Sequence, residues 1–305
     1  MTKHWLQWST FVELTEAFTA PLNLAWLLMG ACIAQYFYQV VNWVNIGLFL
    51  INIVCFDLAV NITDNYYDYL HAKDREGYAK HTNVMGRLNL PLRGVWLLGL
   101  SLYLLSLVPA VILLWRAGWS LLPLGIVGYG LGIFYAAGPF PINATPLCEA
   151  AASVGITYMV QLVCVCSAVA PHYSLSWDLA GKTFMVCLPV VLIAFTLQLA
   201  NNVADLDEDI KNGRYTLAFY LGRPHSLLLM RVLQVVGGLW PLVNWLSNVS
   251  PWPVLITIPL MLPMFWGMRP FYANPDKERT FFPLVKAASV YFVGYTIFLA
   301  IGVWL

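Results

Sequence analysis

Apolar runs of roughly twenty residues recur along the chain, separated by short polar breaks. A helix needs about 20 mainly apolar residues to cross a hydrocarbon core of about 30 Å. The runs predict spans near residues 21–38, 43–63, 95–114, 119–137, 147–170, 183–204, 226–247, 252–268 and 285–304. Pro123, Pro189, Pro241, Pro259 and Pro263 lie inside these runs and are expected to kink them. The expected fold class is all-α: one polytopic membrane unit of nine transmembrane helices over residues 1–305.

Composition agrees with the pattern. Apolar residues make up 60% of the chain and charged residues 10%, against roughly 25% charged in a soluble domain. The net charge of +1 gives no footprint for nucleic acid. The cysteines are scattered, and Cys164 and Cys166 stand inside an apolar run, so neither zinc spacing nor a disulfide framework is visible.

Charge placement then selects an orientation. With the N-terminus inside, the inner segments hold Lys3, then Lys73, Arg75, Lys80, Arg87 and Arg93, then Lys211, Arg214 and Arg223, then Arg269, Lys277, Arg279 and Lys286. The outer loops hold Arg116 and Lys182. The positive-inside rule therefore puts the N-terminus and the polar loops 64–94 and 205–225 in the cytoplasm and the C-terminus outside a cell membrane.

Those two loops begin with matching motifs. Asn61, Asp64, Asp68 and Lys73 recur 141 positions later as Asn202, Asp205, Asp209 and Arg214, in the pattern N-x2-D-x3-D-x4-[KR]. Four predicted spans separate the two, and an even number restores the direction of the chain. The expectation is a parallel repeat: residues 21–137, residues 147–268, and a final helix at 285–304. On a helix, positions i, i+3 and i+7 share a face, so each motif is expected to present its amide and both carboxylates as one stripe. The stripe continues one turn deeper to Asp57 and Gln198.

Clustered carboxylates repel unless a cation joins them. Mg²⁺ takes oxygen ligands and commonly bridges one or two carboxylates to substrate phosphates. His and Cys ligands are read as absent, which argues against zinc or copper. Lys73, Arg87, Lys211 and Arg214 are candidates to neutralise a diphosphate. A lone DxxxD at a helix end is ordinarily a solvated cap, but two at matched depth with basic followers call for a shared ligand.

At these residues the chain resembles the UbiA superfamily of membrane prenyltransferases. The second motif and its continuation, Asn201 to Arg223, is similar to the branch acting on 1,4-dihydroxy-2-naphthoate in menaquinone synthesis. So are Tyr135-Ala-Ala-Gly138-Pro-Phe-Pro141 with Glu149, and Thr82-Asn83-Val-Met-Gly86-Arg87. The resemblance implies nine helices around a cytoplasm-facing cavity, Mg²⁺ as cofactor, and a polyprenyl diphosphate and an aromatic acceptor as substrates, with membrane lipid around them. It implies Asp68 and Asp74 as first-motif acids, Asp205 and Asp209 as the second pair, and Arg214 at a position usually lysine. The family reads Asn-Asp where this chain has Asp64-Asn65. The family alignment puts an amide at 64, whereas the helical repeat makes Asp64 a ligand.

The resemblance further implies ionisation of the diphosphate to an allylic cation, attack by an electron-rich ring, and loss of a proton or CO₂. Tyr129, Tyr135 and Tyr158 are candidates to face the cation. Tyr66, Tyr67 and Tyr69 read as interface anchors. Other aromatic acceptors such as 4-hydroxybenzoate remain open, as does a secondary transporter or cation channel, which would also carry a repeat and intramembrane acids.

Overall fold

A computed structural model describes residues 5–305; Lys3, counted above with the inner basic residues, lies outside them. Among the described residues the protein is all helical. A short helix α1 (Trp8–Thr15) precedes α2 (Leu22–Tyr38) and the long α3 (Trp43–His71). Then come α4 (Leu92–Ala117), α5 (Leu121–Ala136), α6 (Cys148–Val169) and α7 (Trp177–Ala204). A short α8 (Leu206–Asn212) leads to α9 (Leu217–Leu246), α10 (Met261–Ala273) and α11 (Phe281–Trp304).

Among the described residues, seven helices are long and apolar enough to cross a membrane: α3, α4, α6, α7, α9, the stretch Trp252–Ala273 that ends in α10, and α11. The predicted spans at 21–38 and 119–137 form the shorter apolar helices α2 and α5, of 17 and 16 residues.

The helix starts are written locally. The Asn42 side chain accepts from Asn45 N–H at 3.1 Å at the start of α3, and Ser176 accepts from Leu179 N–H at 3.2 Å at the start of α7. Each satisfies an amide the helix leaves unpaired. The prolines act less uniformly than expected. Pro189 and Pro241 ride within α7 and α9, and Pro123 sits in the first turn of α5, where its missing N–H costs nothing. Pro259 lies between the 3-10 segment Trp252–Thr257 and α10. The non-helical residue inside α9 is Gly222, at φ 69°, two residues before Pro224.

Several polar groups inside the bundle are paired across helices, as an apolar surround favours. Asn52 of α3 donates to Ser106 O of α4 at 2.8 Å and to the Tyr129 hydroxyl of α5 at 2.9 Å. Asn45 donates to Ser167 O, and Arg116 donates to Asn45. Trp43, Trp115, Trp119, Trp177 and Trp252 are exposed at the helix ends remote from both motifs, and Trp304 meets Trp43 there. Tryptophan gathered at one level is the pattern of a membrane–water interface.

Candidate active site

The first motif lies on the last turns of α3, which continues eight residues past its predicted end and so carries the acids on regular helix. Asp64 and Asp68, one turn apart, both accept from the Asn143 side-chain amide, each at 3.0 Å. Asn143 is buried on the 3-10 turn Ile142–Ala144, which follows Gly138-Pro139-Phe140-Pro141. Gly138 adopts φ +97°, a conformation L side chains rarely take, and lets the chain turn into that segment.

The second motif straddles a break. Asp205 separates α7 from α8, with φ −89° and ψ 3°, so Asn202, Asp205 and Asp209 do not share one straight helix as expected. Arg214 joins the halves: it donates to Asp68 at 2.8 Å and pairs with Asp209 at 3.3 Å. It reaches them because α8 ends at Gly213 in the left-handed region, φ 78°, which reverses the chain. The Asn212 side chain accepts from the backbone N–H groups of Lys73 and Asp74, each at 3.1 Å, and so fastens the first loop to the second. Asp205 is paired with Lys277 from the α10–α11 loop.

Charge follows this geometry. Burial pushes the Asp209 carboxyl up to about 7; Arg214 opposes the rise, while Asp205 and Asp68 add to it. Burial alone would lower Arg214, but Asp68, Asp209 and Asp64 outweigh it and hold the guanidinium charged. Burial, then the charge of Asp68, raises Tyr78, whose hydroxyl donates to Asp68 at 3.4 Å. Below these groups, Asp57 accepts from Asn23 at 3.2 Å. Glu16 is raised by burial and by Asp57, and lowered by Lys277.

Asp68, Lys73, Tyr78, Asn143, Asn212 and Arg214 face a cavity of about 360 Å³. His71 also faces it. Among the described residues no three acidic, His or Cys side chains converge into a protein-only metal cage. The donor set nevertheless fits Mg²⁺. Asp64, Asp68, Asp205 and Asp209 offer hard oxygens, and the buried Oδ2 of Asp209 has no hydrogen-bond partner. Mg²⁺ typically takes one or two carboxylates plus phosphate and water rather than a closed protein cage.

Several expected site residues are placed elsewhere. Asn61 donates to Thr15 O at 2.9 Å, at the end of α1. Asn65, the residue where the family's acid would stand, donates to Leu14 O at 3.2 Å, so Asp64 rather than position 65 faces the site. Asn202 donates to Glu149 at 2.8 Å. An amide removed from water, wholly at Asn202 and partly at Asn61 and Asn65, takes an acceptor within reach, so these amides hold helices together instead of joining the stripe. The Asp74 carboxylate accepts from Gly77 N–H at 2.8 Å and folds its own loop. Arg87 pairs with Glu13 outside the cavity, and Lys211 is exposed. Tyr66 and Tyr69 pack beside the small cluster around Ile62 and Val84, and Tyr67 meets Tyr66 and His71. Tyr158 donates to Ala180 O at 3.1 Å, whereas Tyr135 lies within electrostatic range of Asp64 and Arg214.

The sequence reading missed Asn143, Tyr78, Glu16 and Asn212 as members of the site, and counted Lys277 only as a loop charge. Asn143 had one legible signal: it follows the Gly-Pro-Phe-Pro run already singled out.

Comparison with known proteins gives the family and the fold. The chain is 23% identical over 254 residues to the 1,4-dihydroxy-2-naphthoate octaprenyltransferase of Bacillus subtilis (strain 168), covering 83% of this chain and 79% of that one. The fold matches the apo structure of a UbiA homologue from Aeropyrum pernix K1 at a TM-score of 0.67, with 15% identity over 92% of this chain and 97% of that one. It matches an Archaeoglobus fulgidus UbiA homologue bound to GPP and Mg²⁺ at 0.60, with 13% identity over 95% and 99%. The model of the UbiA prenyltransferase family matches residues 23–303, which sets aside the transporter and channel readings. An all-helical membrane chain whose acids meet across one arginine is thus a member of the UbiA prenyltransferase family.

Proposed function

We propose that this prenyltransferase carries out Mg²⁺-dependent transfer of a polyprenyl group from a polyprenyl diphosphate to 1,4-dihydroxy-2-naphthoate. The observation that carries the reading is Arg214 spanning Asp68 of α3 and Asp209 of α8 at the rim of the cavity. A guanidinium between two acids marks a place where cation and anion can exchange partners. The naphthoate acceptor rests on the Bacillus subtilis relative and on the second-motif tail.

The proposed metal ligands are Asp64, Asp68, Asp205 and Asp209; Asp74, expected with them, is turned onto its own loop. Bound there, Mg²⁺ would supply Lewis-acid withdrawal of charge from the leaving diphosphate. Arg214 and Lys73 face the cavity and receive phosphate oxygens. Asn143 fixes the spacing of Asp64 and Asp68, so neither carboxylate must reorganise as negative charge develops. The apolar walls take the prenyl tail and exclude water from the allylic centre. The carbon–oxygen bond to diphosphate breaks, a ring carbon of the acceptor bonds to the allylic carbon, and the ring then loses a proton or CO₂.

We further propose that α2 and α5 also cross, completing nine helices in a single unit of two parallel repeats plus α11. Motif helix α3 packs on α4 and motif helix α7 on α9, which supports the repeat. The basic loops beside both motifs support a cytoplasmic site in the cell membrane, with the C-terminus outside.

The test uses purified protein with Mg²⁺, a set of polyprenyl diphosphates and a panel of aromatic acceptors. Product is expected with the naphthoate, and none with EDTA, Asp68→Ala or Asp209→Ala. Activity untouched by EDTA would sink the metal reading. Preference for another ring would replace the acceptor.

A further inference from the structure

The loop between α10 and α11 belongs to neither motif, yet it reaches the second one. Lys277 donates to both Asn201 and Asp205, 72 positions away or more in sequence. The loop is built to hold that position. The Asp276 carboxylate accepts from Glu278 N–H at 3.0 Å and Arg279 N–H at 2.7 Å. The Thr280 hydroxyl accepts from Asp276 N–H at 3.0 Å and donates to Asn274 O at 2.8 Å. Phe281 lies under the ammonium, 5.0 Å from Lys277 Nζ to the ring centroid. A four-carbon stem on a folded tip gives an ammonium that is tethered but free to swing.

The surroundings leave Lys277 two roles. Its side chain keeps 44% exposure, so it is not a sealed structural ion pair. It stands where Asp205 would otherwise be free to take a cation, and a divalent ion on Asp205 would repel it. Glu16 is already within electrostatic range of the ammonium, and the anion that arrives with the metal is the new charge available to it.

We infer that Lys277 is a positioning residue for the diphosphate: it occupies Asp205 while the site is empty of metal, and passes to a phosphate oxygen when the metal–diphosphate pair binds. This rests on the function proposed above. The exchange balances charge at each stage, because Asp205 is never left without a cation and Lys277 never without an anion.

The test compares wild type with Lys277→Gln and Lys277→Arg. Mn²⁺ binding is read by electron paramagnetic resonance without substrate, and inorganic pyrophosphate binding is read calorimetrically with Mn²⁺ present. Removing one competing charge at a part-exposed site is expected to tighten Mn²⁺ about tenfold in Lys277→Gln. Pyrophosphate binding should weaken about tenfold in the same variant, for loss of one charge-assisted contact. Lys277→Arg should restore pyrophosphate binding, and the KM of the acceptor should not move. Unchanged or weaker Mn²⁺ binding in Lys277→Gln, or unchanged pyrophosphate binding, overturns the inference while leaving the proposed function standing. Wild type that binds neither probe overturns both.

Discussion

The first motif stays on one unbroken helix, whereas the second is split at Asp205 between α7 and α8. The sequences repeat, but the supports do not. Asp64 and Asp68 are held in register by a neutral amide, Asn143, which sits on a proline-bounded turn. Asp205 and Asp209 are held by cations, Lys277 and Arg214. The motif amides diverge as well: Asn61 holds α1 and Asn202 holds Glu149. A shared spacing thus sets where the acids stand, while each neighbourhood sets how they are neutralised. The α3 half is a fixed pair of acceptors, and the α7–α8 half is one whose counter-ions can move.

Arg214 is where the two halves touch, so its removal is the largest test of the contrast. Arg214→Ala strips Asp68 and Asp209 of their partner. Breaking a fully buried pair costs about 3–5 kcal/mol; Arg214 retains 22% exposure, so a smaller loss of about 2–3 is expected. Thermal unfolding without metal should show it, and Mg²⁺ should restore more stability to Arg214→Ala than to wild type. Equal Mg²⁺ effects would mean the acids and the arginine do not compete for charge.

Asn143→Ala should be felt by the first half alone. With both acids released, kcat is expected to fall about a hundredfold, the lower end of the range for a preorganising donor. Mn²⁺ affinity should fall less. A variant with wild-type kcat would show that the amide merely fills space.

The second half carries a pH response of its own. Asp209 is raised from 3.8 to about 7, so its neutral form is favoured by folding. That stability is complete below the unfolded value and is lost as pH rises toward about 7. Metal-free protein should therefore soften between these limits, and Asp209→Asn should flatten the slope. A slope unchanged in Asp209→Asn would place the titration elsewhere.

The smallest effects belong to residues that share the motifs' chemistry without sharing the cavity. Asn65→Ala should cost about 1 kcal/mol of stability, the worth of a typical hydrogen bond, through the loosened seat of α1. Arg87→Ala and Lys211→Ala should change stability by no more than about 0.5 kcal/mol and leave the diphosphate KM unaltered.

The helices were legible because burial in lipid imposes a length and a composition that need no tertiary information. The acids were legible because the repeat places them twice. Arg214 could be named for the same reason, as a basic follower. The partners of these groups were hidden. Asn143 and Lys277 reach the site through tertiary contacts across 75 and 72 positions, and no period in the chain marks such a contact. The direction of Asn61 was equally hidden: helical spacing alone aimed it at the cavity, but a free carbonyl at the end of α1 claimed it first. The Asp64-Asn65 order is explained by the same event. Position 65 faces a backbone acceptor, where an amide can donate and a carboxylate cannot.

That stitching ties the segment ending α1 to the helix that bears Asp64 and Asp68. Leu14 and Thr15 are fully buried, their carbonyls are gripped by the helix that bears Asp64 and Asp68, and Glu16 follows at once with a left-handed backbone, φ 49°. A protein trimmed through residue 16 would lose no motif, yet it would leave two amides of α3 facing nothing and remove a carboxylate from beside Asp57. A bulky fusion at this end would press on the same joint. For anyone placing a tag, a tether or a fluorescent label, the C-terminal end of α11, on the tryptophan-lined side remote from the acids, is the quieter handle.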